Sequence, residues 1–217
     1  MNNLSVIIAS IAVIISFLSL IFQRIDIRKS RKYQRKTFEL QNIIDEENTI
    51  IELASKISSN VINQADNMIE LYDKEKFRKE RWKERIKAIY MPNSPTQMFD
   101  VLHEKAEFAV RNLNEENKRL ISELKALKYS LKIHIITKDF DSEVAETIIE
   151  IDKYLQEISS LYDKSEESDE NASERNIDSS KENYRMKLDE EVIKFQNIFT
   201  NMKIKTEQQV EKLQKNQ

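Results

Sequence analysis

"LSVIIASIAVIISFLSLIFQRIDIRKSRKYQRK" fills residues 4–36, and its reading decides the architecture of the chain. The nineteen residues from Leu4 to Phe22 carry no charge, whereas Arg24 to Lys36 holds seven Lys/Arg and a single acid, Asp26. As a helix, Leu4 to Phe22 spans roughly 28 Å, close to the hydrocarbon thickness of about 30 Å. A core helix of a soluble domain is rarely apolar on every face over that length. A secretory signal peptide wants positive charge before its apolar run and a small-x-small cleavage pattern after it. Here Met1-Asn2-Asn3 precedes the run and Phe22-Gln23-Arg24 follows it. The expectation is an uncleaved transmembrane helix over residues 4–22, with residues 1–3 outside the cell and residues 23–37 a basic juxtamembrane segment. The positive-inside rule then places everything after Gln23 in the cytoplasm of a cell-membrane protein. Arg24, Arg28, Lys29, Arg31 and Lys32 are the candidate lipid head-group contacts, each contributing on the order of 1 kcal/mol beside anionic lipid.

The same run carries a finer pattern. Ser5, Ala9, Ala12, Ser16 and Ser19 follow one another at alternating steps of four and three, so they line one helix face. Lipid tails give no hydrophobic drive between helices, and close approach at small residues with hydroxyl bonding across the seam replaces it. That face is the candidate self-association surface, and a homo-oligomer is expected. The bland reading is that small residues are common in membrane spans.

Composition excludes more than it proposes. The 217 residues are 34% charged with a net charge of −3, so no whole-molecule field points to nucleic acid. There is no glycine, no cysteine and only two prolines. Glycine-dependent phosphate loops, primed hairpin turns, disulfides, thiolate metal sites and cysteine nucleophiles are thereby excluded. Long helices with few breaks remain, and the richness in Ile, Asn, Lys and Glu resembles that of AT-rich bacterial genomes.

Residues 38–164 read as an antiparallel helical bundle or coiled coil, with a break at 91–95. From Lys36 to Met91 there is no helix breaker, and Ile43, Ile50, Ala54, Ile57, Val61, Met68 and Leu71 recur at helical period. Ile44, Ile51, Ala65 and Tyr72 widen this stripe, and a helix continuous from the membrane to about Tyr90 is expected. After "MPNSPTQMF", Ser94 suits an N-cap, Pro95 a first helical position and Gln97 a capping box. The second helix carries the most regular heptad seam: Phe99, Ala106, Val110, Leu113, Leu120, Leu124, Leu127 and Leu131, with His103, Asn117 and His134 also on it. "KIHII" alternates like a strand but has no partner strand. Asp139 or Asp141 is expected to cap a third helix through Val144, Ile148, Ile151, Leu155, Ile158 and Tyr162. Residues 165–182 hold seven acids and few apolar residues and read as an acidic disordered linker. Residues 183–217 read as a C-terminal amphipathic helix marked by Leu188, Val192, Phe195, Phe199, Met202 and Leu213.

Few constellations carry chemistry. Asp100, His103 and Glu107 share a helix face with Glu104 beside them, but no second carboxylate-imidazole pair exists to complete a metal site. Acids in a first helical turn equally complement the macrodipole. Asn117 on the seam either fixes register or marks a locally exposed face. "DKEKFRKERWKERIKAIYM" interleaves basic and aromatic residues, as membrane-surface and nucleic-acid helices do, yet most of its charges have opposite-sign neighbours one turn away. No catalytic, cofactor-binding or metal residue is expected, and neither is an enzyme or a nucleic-acid partner. The expected fold is all-α, with one N-terminal transmembrane helix continuing into a stalk and a cytoplasmic bundle. The expected function is a membrane-anchored scaffold or adaptor at the inner leaflet with an unidentified protein partner. A membrane-perturbing effector of a phage-defence or toxin system is the alternative. The layout is similar to that of bacterial septation-ring regulators, in arrangement only and with no shared motif.

Overall fold

The computed structural model describes residues 2–90, 96–136, 138–164 and 173–215, with side chains at 15–90, 98–136, 138–160, 179–212 and 215. They form four α-helices: α1 (Asn2–Ile89), α2 (Thr96–Ile135), α3 (Asp141–Lys164) and α4 (Ser173–Lys215). Among the described residues there is no strand, and "KIHII" forms the last turn of α2 and the turn residue Ile136 after it. α1 is one helix of 88 residues. Nothing in its sequence interrupts it, since glycine is absent from the chain and the first proline is Pro92. The expected break at 91–95, with Ser94 and Pro95, lies outside the described residues.

The chain divides into two compact units, Met1–Asn48 with Val210–Gln217, and Thr49–Gln209. The second is an antiparallel bundle. Trp82 meets His103 and Arg85 meets Asp100, so α2 runs against α1. Lys128 pairs with Asp152 across α2 and α3. Lys181 pairs with Asp73 and Arg185 with Asp66, so α4 also runs against α1.

Its core is one cluster drawn from all four helices. Ile50, Ala54, Ile57, Val61 and Ala65 of α1 pack with Leu124 and Leu131 of α2, Val144, Ile151 and Leu155 of α3, and Leu188, Val192, Phe195 and Phe199 of α4. All of these belong to the expected stripes, because a 3.6-residue period keeps such positions on one face, whereas Ile135 and Ile198 join the same cluster from outside them. Full burial stabilises by about 1.5–3 kcal/mol for each large side chain. An exposed ion pair contributes up to about 1 kcal/mol, so packing and not charge holds the bundle.

Two local details differ from expectation. The amide of Val144 donates to the carbonyl of Phe140, which makes Phe140 the cap residue of α3 rather than Asp139 or Asp141. Its ring packs edge-on against Phe199 at 6.0 Å, so tertiary packing outweighs the preference for an Asx cap. Asp141 and Glu143 stand in the first turn, where they complement the helix dipole.

The second difference is the start of α4. It begins at Ser173, inside the segment expected to be a linker to residue 182. Lys181 is 8% exposed, with its ammonium 3.6 Å from the centroid of the Tyr72 ring and 2.8 Å from Asp73 Oδ1. A lysine stem buries apolar surface that a count of apolar residues misses. Residues 165–172 lie outside the described residues.

Candidate functional site

The first candidate region is the N-terminal part of α1. The side chains of Ser5, Ala9 and Ala12 lie outside the described set, so the structure does not place the expected self-association face as a whole. Ser16 and Ser19 are exposed. Every described side chain from Ile15 to Arg35 is exposed, which includes Arg24, Arg28, Lys29, Arg31 and Lys32. The large apolar residues among them are spread around the axis on either side of Ser16 and Ser19: Ile15, Phe17, Leu18, Leu20, Ile21 and Phe22 are each between 41% and 65% exposed. Among the described residues, no helix is long and apolar enough to cross a membrane. Residues 4–14 of the expected span lie outside the described side chains. The described residues therefore support the all-helical part of the expected architecture and not its span.

The second region is where α1 and α2 lie side by side near their connection. Trp82 and His103 stack at 5.2 Å between centroids, tilted by 44°. Arg85 lies over Trp82 at 5.3 Å and forms an ion pair with Asp100 at 2.5 Å. Arg81 sits over Phe77 at 4.7 Å and pairs with Glu84, while Arg78 pairs with Glu75 at 2.6 Å. The basic-aromatic stretch is thus largely engaged with itself. The Asp100, His103 and Glu107 row is likewise spent: Asp100 is held by Arg85, His103 leans on Trp82, and Glu107 is exposed. Among the described residues no group of three or more His, Cys, Asp or Glu is placed to hold a metal. Sequence spacing puts residues on a face but does not say which neighbouring helix supplies the counter-charge.

Inside the bundle, Asn117 is half-buried with its Oδ1 fully covered, so its face is not an exposed one. Asn60 and Gln64, one turn apart on α1, are each 5% exposed, and their side-chain oxygens accept no hydrogen bond among the described residues. These buried amides interrupt an otherwise apolar seam, each one residue to the side of the stripe through Ile57, Val61 and Ala65. An open groove of about 400 Å³ lies between α1 and α4, floored by Ile51, Ala54 and Phe199 and edged by Ser55, Thr200 and Lys203. It offers no converging set of acid, base and nucleophile. Elsewhere the perturbed groups are surface ones. A hydrogen bond and the charge of Lys56 hold Glu52 below its ordinary carboxylate value. Hydrogen bonds and charge from Glu150 and Glu191 hold Lys153 and Lys194 above the ordinary lysine value.

Compared with known proteins, the chain matches no family model, no curated protein and no solved structure.

Proposed function

We propose that this chain is a non-enzymatic, membrane-anchored helical scaffold that presents its bundle at the inner leaflet. One observation carries the reading: between Ile15 and Phe22 the large apolar side chains are exposed around all of α1 except the sector of Ser16 and Ser19, which is itself uncharged. A helix that is apolar all round is stable where the solvent itself is apolar, and this one continues an uncharged run that starts at Leu4. The exposed Arg24, Arg28, Lys29, Arg31 and Lys32 follow directly and suit an anionic head-group layer. The basic cluster on that flank argues for a cytoplasmic bundle, and the Ser5-Ala9-Ala12-Ser16-Ser19 face for association of spans.

Two measurements test it. The chain has no cysteine, so single substitutions report cleanly. In intact cells an impermeant maleimide labels Asn3→Cys, whereas Asn216→Cys is labelled only after permeabilisation; the reverse overturns the orientation. Val13→Arg places a charge at the middle of the run at a cost of about 3 kcal/mol and shifts the protein out of the membrane fraction. Unchanged fractionation of that variant, or recovery of the parent in the soluble fraction, removes the anchor. Collapse of the membrane potential on induced expression would replace the scaffold with a membrane-perturbing effector.

A further inference from the structure

The face of α2 opposite its buried seam is patterned too. Starting at Met98 and stepping alternately by three and four, a row of twelve positions runs to Ile136, and every one of them is exposed. The last position still belongs to the helical ladder, since the Ile136 amide donates to the carbonyl of Lys132. These are the positions a bundle helix ordinarily fills with charge. Here the two ends of the row are mainly apolar: Met98, Val101 and Phe108 at one, with Lys105 among them, and Tyr129, Ile133 and Ile136 at the other, each apolar residue at least 50% exposed. Its middle is charged, with Glu115 followed one step later by Arg119. Single exposed apolar residues need no explanation, but a row kept in coiled-coil register along a whole helix does.

We propose that α2 pairs antiparallel with α2 of a second copy of this chain along this row. In a two-stranded antiparallel coil, the positions reached by a step of four on one helix meet those reached by a step of three on the other. With the two-fold axis between Glu115 and Arg119, that rule sets all twelve layers at once. Met98 meets Ile136 of the second copy, Val101 meets Ile133, and Phe108 meets Ala126. Lys105 lies over Tyr129, a cation-π contact. Glu115 meets Arg119 of the second copy, twice, once on each side of the axis. Arg119 is free to turn, because its contact within the chain is an exposed one to Glu116 at 3.7 Å.

Direction follows from the same charges. A parallel pair would stack Glu115 on Glu115, Arg119 on Arg119 and Lys105 on Lys105, so like charges would fill its core. The antiparallel pair is isologous and closes on itself, giving a dimer and not a filament. Its rims are mixed: Glu104 faces Lys132 of the second copy, whereas Lys118 and Glu116 meet their own counterparts at the axis. The dimer is accordingly a reversible one.

Crosslinking of the full-length chain in detergent micelles tests the register. Oxidation gives a covalent dimer when Val101→Cys and Ile133→Cys proteins are mixed, and none when either is alone. Dimers from either variant alone mean a parallel pair, and no dimer in any combination means no pair; both overturn the proposal. Charge exchange gives a second reading by sedimentation. Glu115→Arg and Arg119→Glu each weaken dimerisation roughly tenfold, and the double variant restores it. All four positions are exposed, so circular dichroism stays unchanged; single variants without effect overturn the proposal. Because α2 runs against α1, this pair directs the two copies of α1 oppositely, and it is an alternative to association of two spans in one bilayer. Residues 15–22 take no part in it, so loss of the anchor reading leaves the test intact.

Discussion

Two stretches of α1 use the same kinds of residue to opposite ends. Between Ile50 and Tyr72 the large aliphatic residues are gathered on one side and are buried or half-buried; between Ile15 and Phe22 they spread around the helix and are exposed. A single apolar face is satisfied by three neighbouring helices, as in the bundle. An apolar surface spread around the axis would need several neighbouring helices, and among the described residues no further helix packs there. The contrast shows that hydrophobic content does not specify burial. Its angular distribution decides what kind of surroundings can satisfy it.

Truncation tests this contrast with the largest effect. Phe195→Ala empties the centre of the bundle and lowers its unfolding free energy by about 3–5 kcal/mol, out of a total of about 5–15 kcal/mol. Phe17→Ala removes the same ring from the N-terminal stretch and leaves the urea midpoint of the bundle where it was. Equal destabilisation by both would mean that protein covers residues 15–22 after all.

A smaller effect of opposite sign sharpens the picture of the seam. Gln64→Met keeps nearly the same shape and removes an amide whose buried oxygen meets no donor among the described residues. It raises stability by about 1 kcal/mol in chemical denaturation. A loss instead would show that the amide is satisfied and sets the register of α1 against its neighbours.

The smallest effect comes from pH. Glu52 titrates below its ordinary value because it is hydrogen-bonded to Lys56, so its contribution is present above that ordinary value and fades as pH falls through the lowered one. Lys153 and Lys194 are raised by Glu150 and Glu191, so their contributions are present below the ordinary lysine value and fade as pH rises through the raised one. All three are on the surface, and the melting temperature is flat between these limits. A change of melting temperature inside those limits would show that these three pairs do not set its pH dependence.

Much of the bundle is legible in the amino-acid sequence. The spacing of Leu188, Val192, Phe195, Phe199 and Met202 puts them on one face, and all are buried. Periodicity is a property of the helix itself, so it is written locally and needs no knowledge of partners. The absence of glycine, disulfides and proline within 2–89 likewise settles the all-α class, because no other backbone geometry is as well supplied.

What the sequence does not contain is the choice of neighbour. Phe140 caps α3 because Phe199 receives its ring, and α4 reaches back to Ser173, where Lys181 finds Tyr72 and Asp73. Asp100 is tied to Arg85, and His103 to Trp82, only because α2 folds back along α1 in one register. The second row on α2 becomes visible once burial separates its exposed face from the seam. Local chemistry determined which residues form helices and which side of each is apolar. Tertiary structure alone decided what each side meets, because contact between distant segments depends on register and packing, which no short window of sequence encodes.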